Sequence, residues 1–488
     1  MVEQPYLKLI NAAAVQHVCW CCIRMNNSVF IKKAKYVITM DSNRHLIKNG
    51  AIAIEDDKIV EVGKSEDLEK NFSSSDRVID ASKMIVTPGL INAHCHTTQQ
   101  LARGLADNVF VSTWIHDRIY PYEASLKPED VYISALAACL EAVKTGTTYI
   151  ADPGGYHMDQ VVKAVDEIGI RAVLARSVFD MNDRIPQAIA ESTEKAVKAG
   201  EEFVRQYNGA ASGRVRAWFS LRTERMVSTK LLRAIKELAQ KYGVGIESHV
   251  SGHVDTVNKH KEVFRGKLPV QRYFDAGVLG PNLLMAQINW LTDEEFDLIK
   301  KFNVKICHCP TTGAVCASGS FKAGKFVEMM EQGITVALGC DNAAASNFLD
   351  MIRVAHMVTV HRDIRLDPTL FTPETLMEML TINGSKALLS EAEVGSLEVG
   401  KKADITLFDT ERPEMVPLHN PVSNLMHATS GESANTVIVN GKIIMRDRKL
   451  ETVDEGMILM KAQEAAEAVV ERAGLTSYTL SRWLQPEP

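Results

Sequence analysis

The sequence has none of the features that identify a membrane-spanning, nucleic-acid-binding or dinucleotide-binding protein. No apolar run approaches the roughly 18 residues that a transmembrane helix needs. The 55 basic residues are outnumbered by 61 acidic ones, for a formal net charge of −6, so a basic surface for nucleic acid is not expected. No Gly-x-Gly-x-x-Gly follows a predicted strand, which argues against a dehydrogenase. We therefore expect neither a membrane nor nucleic acid as a partner.

Paired cysteines are lacking as well. The nine cysteines are an odd number without paired spacing, which indicates reduced thiols rather than a disulfide framework and favours a cytoplasmic protein. Three of them, Cys19, Cys21 and Cys22, fall in residues 1–27, in which residues 12–23 are weakly apolar but lack a basic leader and a clean cleavage site. We expect this segment to be a disordered extension, with acylation of its cysteines as an alternative.

The two ends of the folded chain are predicted to share one small domain. Short β-strands are expected near the start and again after residue 390, at residues 37–39, 51–55, 59–62, 403–409 and 436–445. These runs predict a composite β-sandwich built from residues 28–83 and 391–450. Residues 451–488 are expected to form a helical tail that packs on the rest of the chain or on a neighbouring subunit.

The middle of the chain, residues 84–390, alternates apolar strand-like runs with amphipathic helices. The strand candidates are residues 84–86, 147–151, 171–175, 215–221, 244–249, 283–288, 304–307 and 335–339. Predicted helices lie between them, for example from Pro128 to a stop at Gly146, and at 229–242, 292–301 and 323–332. About eight β/α units over some 300 residues are typical of a (β/α)₈ barrel, in which the chemistry lies at the strand ends.

Three predicted strands end in residues that bind metals. His94 and His96 follow the first strand, and alternation along an extended segment would direct both to one side, with Cys95 opposite. His249 ends the fifth strand and Asp341 follows the eighth. Three imidazoles and a carboxylate at one face of a barrel suit zinc or divalent iron. The sequence therefore predicts a single divalent metal ion, with Zn²⁺ favoured over Fe²⁺.

Several motifs carry a resemblance to a known family. Pro-Gly-Leu-Ile-Asn-Ala-His-Cys-His at 88–96, His-Cys-Pro at 308–310 and Gly-Ser-Leu-Glu at 395–398 resemble the amidohydrolase superfamily. Within it, the chain is most similar to the branch of methylthioadenosine/S-adenosylhomocysteine deaminases and s-triazine hydrolases. The resemblance implies a metal-bearing barrel and a composite β-sandwich. It also implies that an activated water attacks a C–N bond of a small nitrogen heterocycle, and that the chain forms homo-oligomers.

The sequence departs from this branch at three positions of the expected site. The glutamate that the resemblance places three residues after the fifth-strand histidine is replaced by Gly252. The histidine expected at the end of the sixth strand is Gln287, and the fourth-strand histidine corresponds to Arg222. Glycine and glutamine neither donate nor accept a proton near neutral pH. Losing one positioned acid or base typically costs about 10²–10⁴-fold in rate.

Other residues are candidates for the missing proton transfer and for binding substrate. We rank Asp341 first, because it can accept a proton from the activated water, and His253 second. Glu247 shares a strand face with His249 but lies deeper, where a structural role is expected. Trp114, Gln287 and Arg222 are the predicted substrate contacts; Arg222 together with Arg225 would favour an acidic or oxo-substituted ring.

Two interpretations remain open at this point. The first is a metal-dependent aminohydrolase with a rearranged proton relay. The second is a catalytically degenerate relative that keeps the fold and serves as a binding or scaffold protein, which the replacements at Gly252 and Gln287 favour.

Overall fold

The structure is a computed structural model that describes residues 28–182 and 184–479. The predictions for residues 1–27 and for the last nine residues of the tail lie outside the described residues. The strands are, in chain order, β1 Ser28–Ile38, β2 Leu46–Glu55, β3 Lys58–Lys64, β4 Arg77–Asp80, β5 Met84–Pro88, β6 Leu90–Asn92, β7 Thr147–Asp152, β8 Arg171–Val178, β9 Val215–Thr223, β10 Ile246–Val250, β11 Leu283–Gln287, β12 Lys305–His308, β13 Val336–Leu338, β14 Ile405–Asp409, β15 Ala434–Val439, β16 Lys442–Arg446 and β17 Lys449–Leu450.

Strands β6 to β13 form a parallel barrel in chain order. Their residues are almost entirely buried, as expected for parallel strands that are covered by helices. Backbone bonds close the ring between the last strand and the first: the amide of Ala93 donates to Leu338 O at 2.9 Å, and Cys95 pairs with Asp341. The predicted (β/α)₈ architecture is therefore confirmed.

The remaining nine strands form one sheet from both chain ends, ordered β17-β16-β15-β14-β5-β1-β2-β3, with β4 beside β1. Val29 and Ile52 from the first half share an apolar cluster with Ile405, Leu407 and Ile438 from the second. The sheet thus encloses a core of its own, separate from the barrel core, and the predicted β-sandwich is confirmed.

The run at 84–86 was predicted as the first barrel strand, and that assignment is wrong. Met84–Pro88 pairs in parallel with β1 and antiparallel with β14, so it joins the two halves of the end sheet. The first barrel strand is the short segment Leu90–Asn92, which pairs with β7. The Pro88-Gly89 step therefore separates two sheets rather than ending one strand.

Helices surround the barrel much as the apolar spacing predicts. The α-helices of six residues or more are Ser65–Phe72, Tyr120–Ser125, Pro128–Lys144, Met158–Ile168, Thr193–Tyr207, Thr229–Tyr242, Val254–Val263, Pro269–Asp275, Asp293–Lys301, Pro310–Val315, Phe326–Glu331, Met351–Val358, Val360–Arg365, Pro373–Leu380, Ile382–Ala387 and Glu455–Arg472. Local chemistry sets their ends; for example, Thr292 and Glu295 cap each other's backbone amides at 3.3 Å at the start of Asp293–Lys301. Within the described part of the chain, none of the helices could span a bilayer.

Candidate metal centre

Backbone hydrogen bonds between the first and eighth barrel strands bring three of the predicted ligands together. The amide of His96 donates to Asp341 O at 2.7 Å, and the amide of Asp341 donates to His94 O at 3.0 Å. Asp341 has a φ of 67°, in the left-handed region that aspartate tolerates better than most residues. These bonds fix the segment after β13 against the segment after β6, and the three side chains therefore converge on one point.

The four predicted ligands form one compact cluster. Oδ1 of Asp341 lies 3.5 Å from His94 Nε2 and 3.4 Å from His96 Nε2, and the Nε2 atoms of His96 and His249 are 3.2 Å apart. For ligand atoms about 2.1 Å from a zinc ion, the corners of a tetrahedron are separated by about 3.4 Å. His94 Nε2 is buried and has no hydrogen-bond partner. The distances within the cluster therefore suit one metal ion, and His94 Nε2 is a nitrogen that is free to coordinate it.

Hydrogen bonds at the far side of the rings orient two of these imidazoles. Nδ1 of His94 donates to Glu247 Oε1 at 2.5 Å, and Nδ1 of His249 donates to the carbonyl oxygen of Arg222 at 2.8 Å. Each bond places the ring proton on Nδ1 and leaves Nε2 as an acceptor facing the cluster. Glu247, expected to be structural, is therefore the residue that orients a predicted ligand.

The electrostatics of the cluster favour a cation at its centre. Burial, and next to it the neighbouring His94 ring, lowers the pKa of His249 to about 3, so this ring is neutral at physiological pH. Burial alone would raise the pKa of Asp341, but the adjacent imidazoles of His94, His96 and His249 hold it below its ordinary value. Burial alone would lower the pKa of His94, yet Asp341 and Glu247 raise it. The carboxylates of Asp341 and Glu247 thus stabilise positive charge within the cluster, and a bound cation would supply such a charge.

A cavity opens beside the cluster. His96, His249 and Asp341 border it, together with residues from several strand ends and from the segment after β6, including Trp114, Arg222, Glu224, His253 and Gln287. Ligands of (β/α)₈ proteins bind at this end of the barrel.

Gln287 and Gly252 are in contact at the edge of the cluster. Nε2 of Gln287 donates to Asp341 Oδ2 at 2.8 Å. A β-carbon built on Gly252 would lie 2.1 Å from Oε1 of Gln287. Two of the three positions at which the sequence departs from the expected pattern are therefore neighbours, and one of them, Gln287, bonds a predicted metal ligand directly.

Comparison with known proteins assigns the family. The model of the amidohydrolase family matches residues 85–444. A 5'-deoxyadenosine deaminase of Methanosarcina acetivorans is 36% identical over 446 residues, which cover 91% of this chain and 99% of that protein. The chain belongs to the amidohydrolase family. Its relatives also include a 5-methylthioadenosine/S-adenosylhomocysteine deaminase of Thermoanaerobacter pseudethanolicus, 34% identical over 440 residues, with 89% of this chain and 98% of the relative covered.

Solved structures support the same fold. An adenosine deaminase from Xanthomonas campestris with bound zinc superposes with a TM-score of 0.85 at 24% identity, covering 91% of this chain and 98% of that one. The atrazine chlorohydrolase of Arthrobacter aurescens gives 0.82 at 23% identity, covering 90% and 100%. At this level of identity these two likenesses concern the fold alone.

Arg222 was predicted to contact substrate, but its guanidinium group already forms an ion pair with Glu123. Its Nη2 donates to both oxygens of Glu123 at 2.9 Å, and both side chains are buried. Gln99 Nε2 donates to the same carboxylate at 2.9 Å. Arg222 borders the cavity as one half of a neutralised pair, so it offers less positive charge than the sequence suggested.

Trp114 and His253 border the cavity as predicted substrate and proton-transfer candidates. The indole Nε1 of Trp114 donates to Ala344 O at 3.3 Å from a π-helical turn, Trp114–Ile119. His253 caps the helix Val254–Val263, where its Nδ1 accepts from the amide of Asp255 at 3.2 Å. Both therefore have defined positions, and neither contacts the four-residue cluster through a hydrogen bond.

The sequence reasoning missed Glu224. This side chain is buried at the end of β9, borders the cavity, and has one oxygen, Oε1, without a partner among the described residues. Burial raises its pKa to about 7. Its position immediately after the end of β9, two residues after Arg222, is the signal that could have identified it, because side chains at barrel strand ends border the site.

Proposed function

We propose that the protein is a metal-dependent aminohydrolase that hydrolyses a C–N bond of an adenine-type heterocycle. The observation that carries this proposal is the cluster of His94, His96, His249 and Asp341 beside a cavity. The 5'-deoxyadenosine and methylthioadenosine/S-adenosylhomocysteine deaminases among the relatives supply the substrate class. A small nitrogen heterocycle is therefore the proposed partner.

The four cluster residues are the proposed metal ligands. Nitrogen and carboxylate ligands suit both Zn²⁺ and Fe²⁺, but the tetrahedral spacing of the ligand atoms favours Zn²⁺. The chemistry that such a cation supplies when bound is the activation of water for attack on an electrophilic carbon. Glu247 holds the His94 ring through Nδ1, which keeps Nε2 available.

Proton transfer is assigned to Asp341, with His253 as the second candidate. Asp341 is held from both sides, by Gln287 at Oδ2 and by Asn342 Nδ2 at Oδ1, each at 2.8 Å. A carboxylate held in this way keeps one orientation toward water and substrate. Gln287 and Gly252 contribute no acid or base, so the relay differs from that of the relatives' branch.

Substrate binding is assigned to Trp114, Arg222 and Gln287. All three border the cavity. In this proposal the indole of Trp114 covers the ring, while Gln287 supplies a polar contact near the reacting end. Arg222 keeps its ion pair with Glu123 and contacts the substrate as part of the cavity wall, not as an unpaired cation.

Metal analysis followed by a deaminase assay tests the proposal. We expect about one equivalent of zinc or iron in the purified full chain and ammonia release from 5'-deoxyadenosine, methylthioadenosine, S-adenosylhomocysteine or adenosine. H249A should lose both metal and activity, whereas H45A, at an exposed histidine, should lose neither. Fully metal-loaded protein that releases ammonia from none of the four would contradict the proposal.

The second candidate, a catalytically degenerate binding protein, is favoured by the contact between Gly252 and Gln287. Neither residue transfers protons, and each stands where the branch carries a residue that can. The G252E/Q287H double variant distinguishes the candidates. Activity that is present only in the double variant supports degeneracy; activity in the unaltered chain supports the aminohydrolase.

We also propose that the protein is cytoplasmic and forms a homo-oligomer. Six free cysteines among the described residues support the first, because five of them are buried thiols. Exposed Leu459 and Met460 on the terminal helix Glu455–Arg472 support the second. Light scattering of the full chain tests the oligomeric state.

A further inference from the structure

The contact between Gly252 and Gln287 leaves no room for a side chain at position 252. A β-carbon there would lie 2.1 Å from Oε1, 3.2 Å from Cδ and 3.4 Å from Cβ of Gln287. The carboxamide therefore occupies the space in which a side chain at position 252 would begin.

The orientation of this carboxamide follows from its partner. A carboxylate only accepts hydrogen bonds, so the group that faces Asp341 Oδ2 at 2.8 Å must be the amide nitrogen. The carbonyl oxygen Oε1 then faces Gly252 and the cavity. Among the described residues it accepts no hydrogen bond, and the Gln287 side chain is only partly buried where it borders the cavity.

The backbone at Gln287 is held in an unfavourable conformation. Gln287 has a φ of 74° and the β-branched Ile288 a φ of 42°, both in the left-handed region. The amide of Ile288 donates to Val250 O at 2.9 Å, and Asn289 Nδ2 donates to Gly252 O at 2.8 Å. Strain of this kind persists only where the surroundings enforce it, and here bonds to the segment after β10 do so.

We propose that Gly252 and Gln287 form one interlocked unit in which Gln287 is the positioning residue for Asp341, and in which Oε1 accepts an N–H from the ligand. The Gln287 carboxamide can occupy its position only because residue 252 is a glycine and has no side chain. The ligand class is a heterocycle with an exocyclic amino group; this second half rests on the proposed function, whereas the positioning of Asp341 does not.

Metal binding tests the interlock in the full chain. Outer hydrogen-bond partners of ligands typically contribute about 10–100-fold to metal affinity. We expect G252A to fold, because the atom it displaces is the far end of a flexible side chain, and to weaken Zn²⁺ binding about 10–100-fold, as Q287A does. The double variant G252A/Q287A should bind no more weakly than Q287A. Unchanged affinity in G252A, or two losses that multiply, would overturn the interlock.

A spectroscopic readout separates positioning from a general structural defect. In the Co²⁺-loaded protein, we expect the visible absorption bands, which report ligand geometry, to change in both G252A and Q287A. The matched control is G155A: a β-carbon on Gly155 meets only Thr98, at 3.4 Å and beyond, so its bands and its Zn²⁺ affinity should stay unchanged. Bands unaltered in Q287A would overturn the positioning role.

Binding of adenine and purine tests the acceptor role of Oε1. Adenine carries the amino group and purine lacks it, and one hydrogen bond corresponds to about 3–10-fold in affinity. By calorimetry on the Zn²⁺-loaded chain, we expect adenine to bind about 3–10-fold tighter than purine, and Q287L to lose that preference. A preference that persists in Q287L overturns the acceptor role. If neither base binds, the proposed function and the acceptor role of Oε1 are both contradicted. The interlock of Gly252 and Gln287 is tested separately, by the Zn²⁺ affinities and the Co²⁺ spectra.

Discussion

Arg222 illustrates how a single residue can look functional in the sequence and have a different role in the fold. Its partner Glu123 lies 99 residues earlier, so no local pattern pairs the two. Gln287 is similar: its contact with Gly252 depends on how β10 and β11 end, which spacing along the chain does not encode. By contrast, the four proposed ligands were identified from sequence, because each lies at or shortly after the end of a barrel strand and parallel strands end at the same face.

The buried pair makes a direct prediction for stability. R222M leaves the Glu123 carboxylate buried with only Gln99 as a hydrogen-bond donor. We expect the free energy of unfolding to fall by about 3–5 kcal/mol, because an uncompensated buried charge remains. The E123M/R222M double variant should recover most of this loss. Urea denaturation measures all three proteins; a double variant that is less stable than R222M would contradict the ion-pair explanation.

At the scale of elements, the strand order of the barrel was predictable and the assignment of one strand was not. Seven of the eight barrel strands were predicted close to their observed bounds, because buried parallel strands are continuous apolar runs. The run at 84–86 has the same composition, but it pairs with β1 and β14. Composition identifies a buried strand; the sheet to which it belongs depends on pairing with residues far along the chain.

The loop that follows β7 contains a glycine for which no other residue can substitute. Gly154 has a φ of 91°, and a β-carbon there would lie 1.9 Å from the carbonyl oxygen of Ala175 in β8. We expect G154A to lower the free energy of unfolding by roughly 3 kcal/mol or more, through backbone displacement as well as strain. G209A is the matched control, since Gly209 has the same φ with no atom within 4 Å, and it should cost only about 1–2 kcal/mol. Equal losses in urea denaturation would show that the close contact with β8 is unimportant.

We expect His260, on the helix Val254–Val263, to make the stability of the protein sensitive to acid. His260 is buried on it with neither ring nitrogen hydrogen-bonded to a described residue. Burial, then Arg272 and Arg225, lower its pKa to about 3. Because this folded-state pKa lies below the unfolded value of about 6.5, its contribution to stability is complete above pH 6.5 and is lost as the pH falls toward 3. We expect H260L to lose less stability than the unaltered chain between pH 7.5 and 5, measured by urea denaturation. An identical pH dependence in both proteins would contradict this assignment.

At the scale of the whole molecule, the barrel and the end sheet are held together by polar contacts as well as by chain connectivity. Arg171 at the start of β8 donates to both oxygens of Asp404, at 2.6 and 2.9 Å, and Asp404 also accepts from the amide of Asn440. Asp404 directly precedes β14 in the end sheet, so one carboxylate connects the barrel to the returning end of the chain. The ring in turn closes at Asp341, one of the four proposed metal ligands. Closure of the fold and formation of the site are therefore coupled.

This coupling predicts that metal binding stabilises the entire chain. A ligand that binds only the folded state at 100 times its dissociation constant contributes about 2.7 kcal/mol. We expect the melting temperature of the metal-stripped protein to rise with Zn²⁺ concentration, because the ion would connect residues at the ends of the first, fifth and eighth barrel strands. H249A removes one ligand and should abolish the rise, while H45A, which removes an exposed histidine, should leave it intact. Scanning calorimetry decides the matter: an equal rise in H249A would mean that the zinc binds elsewhere on the molecule.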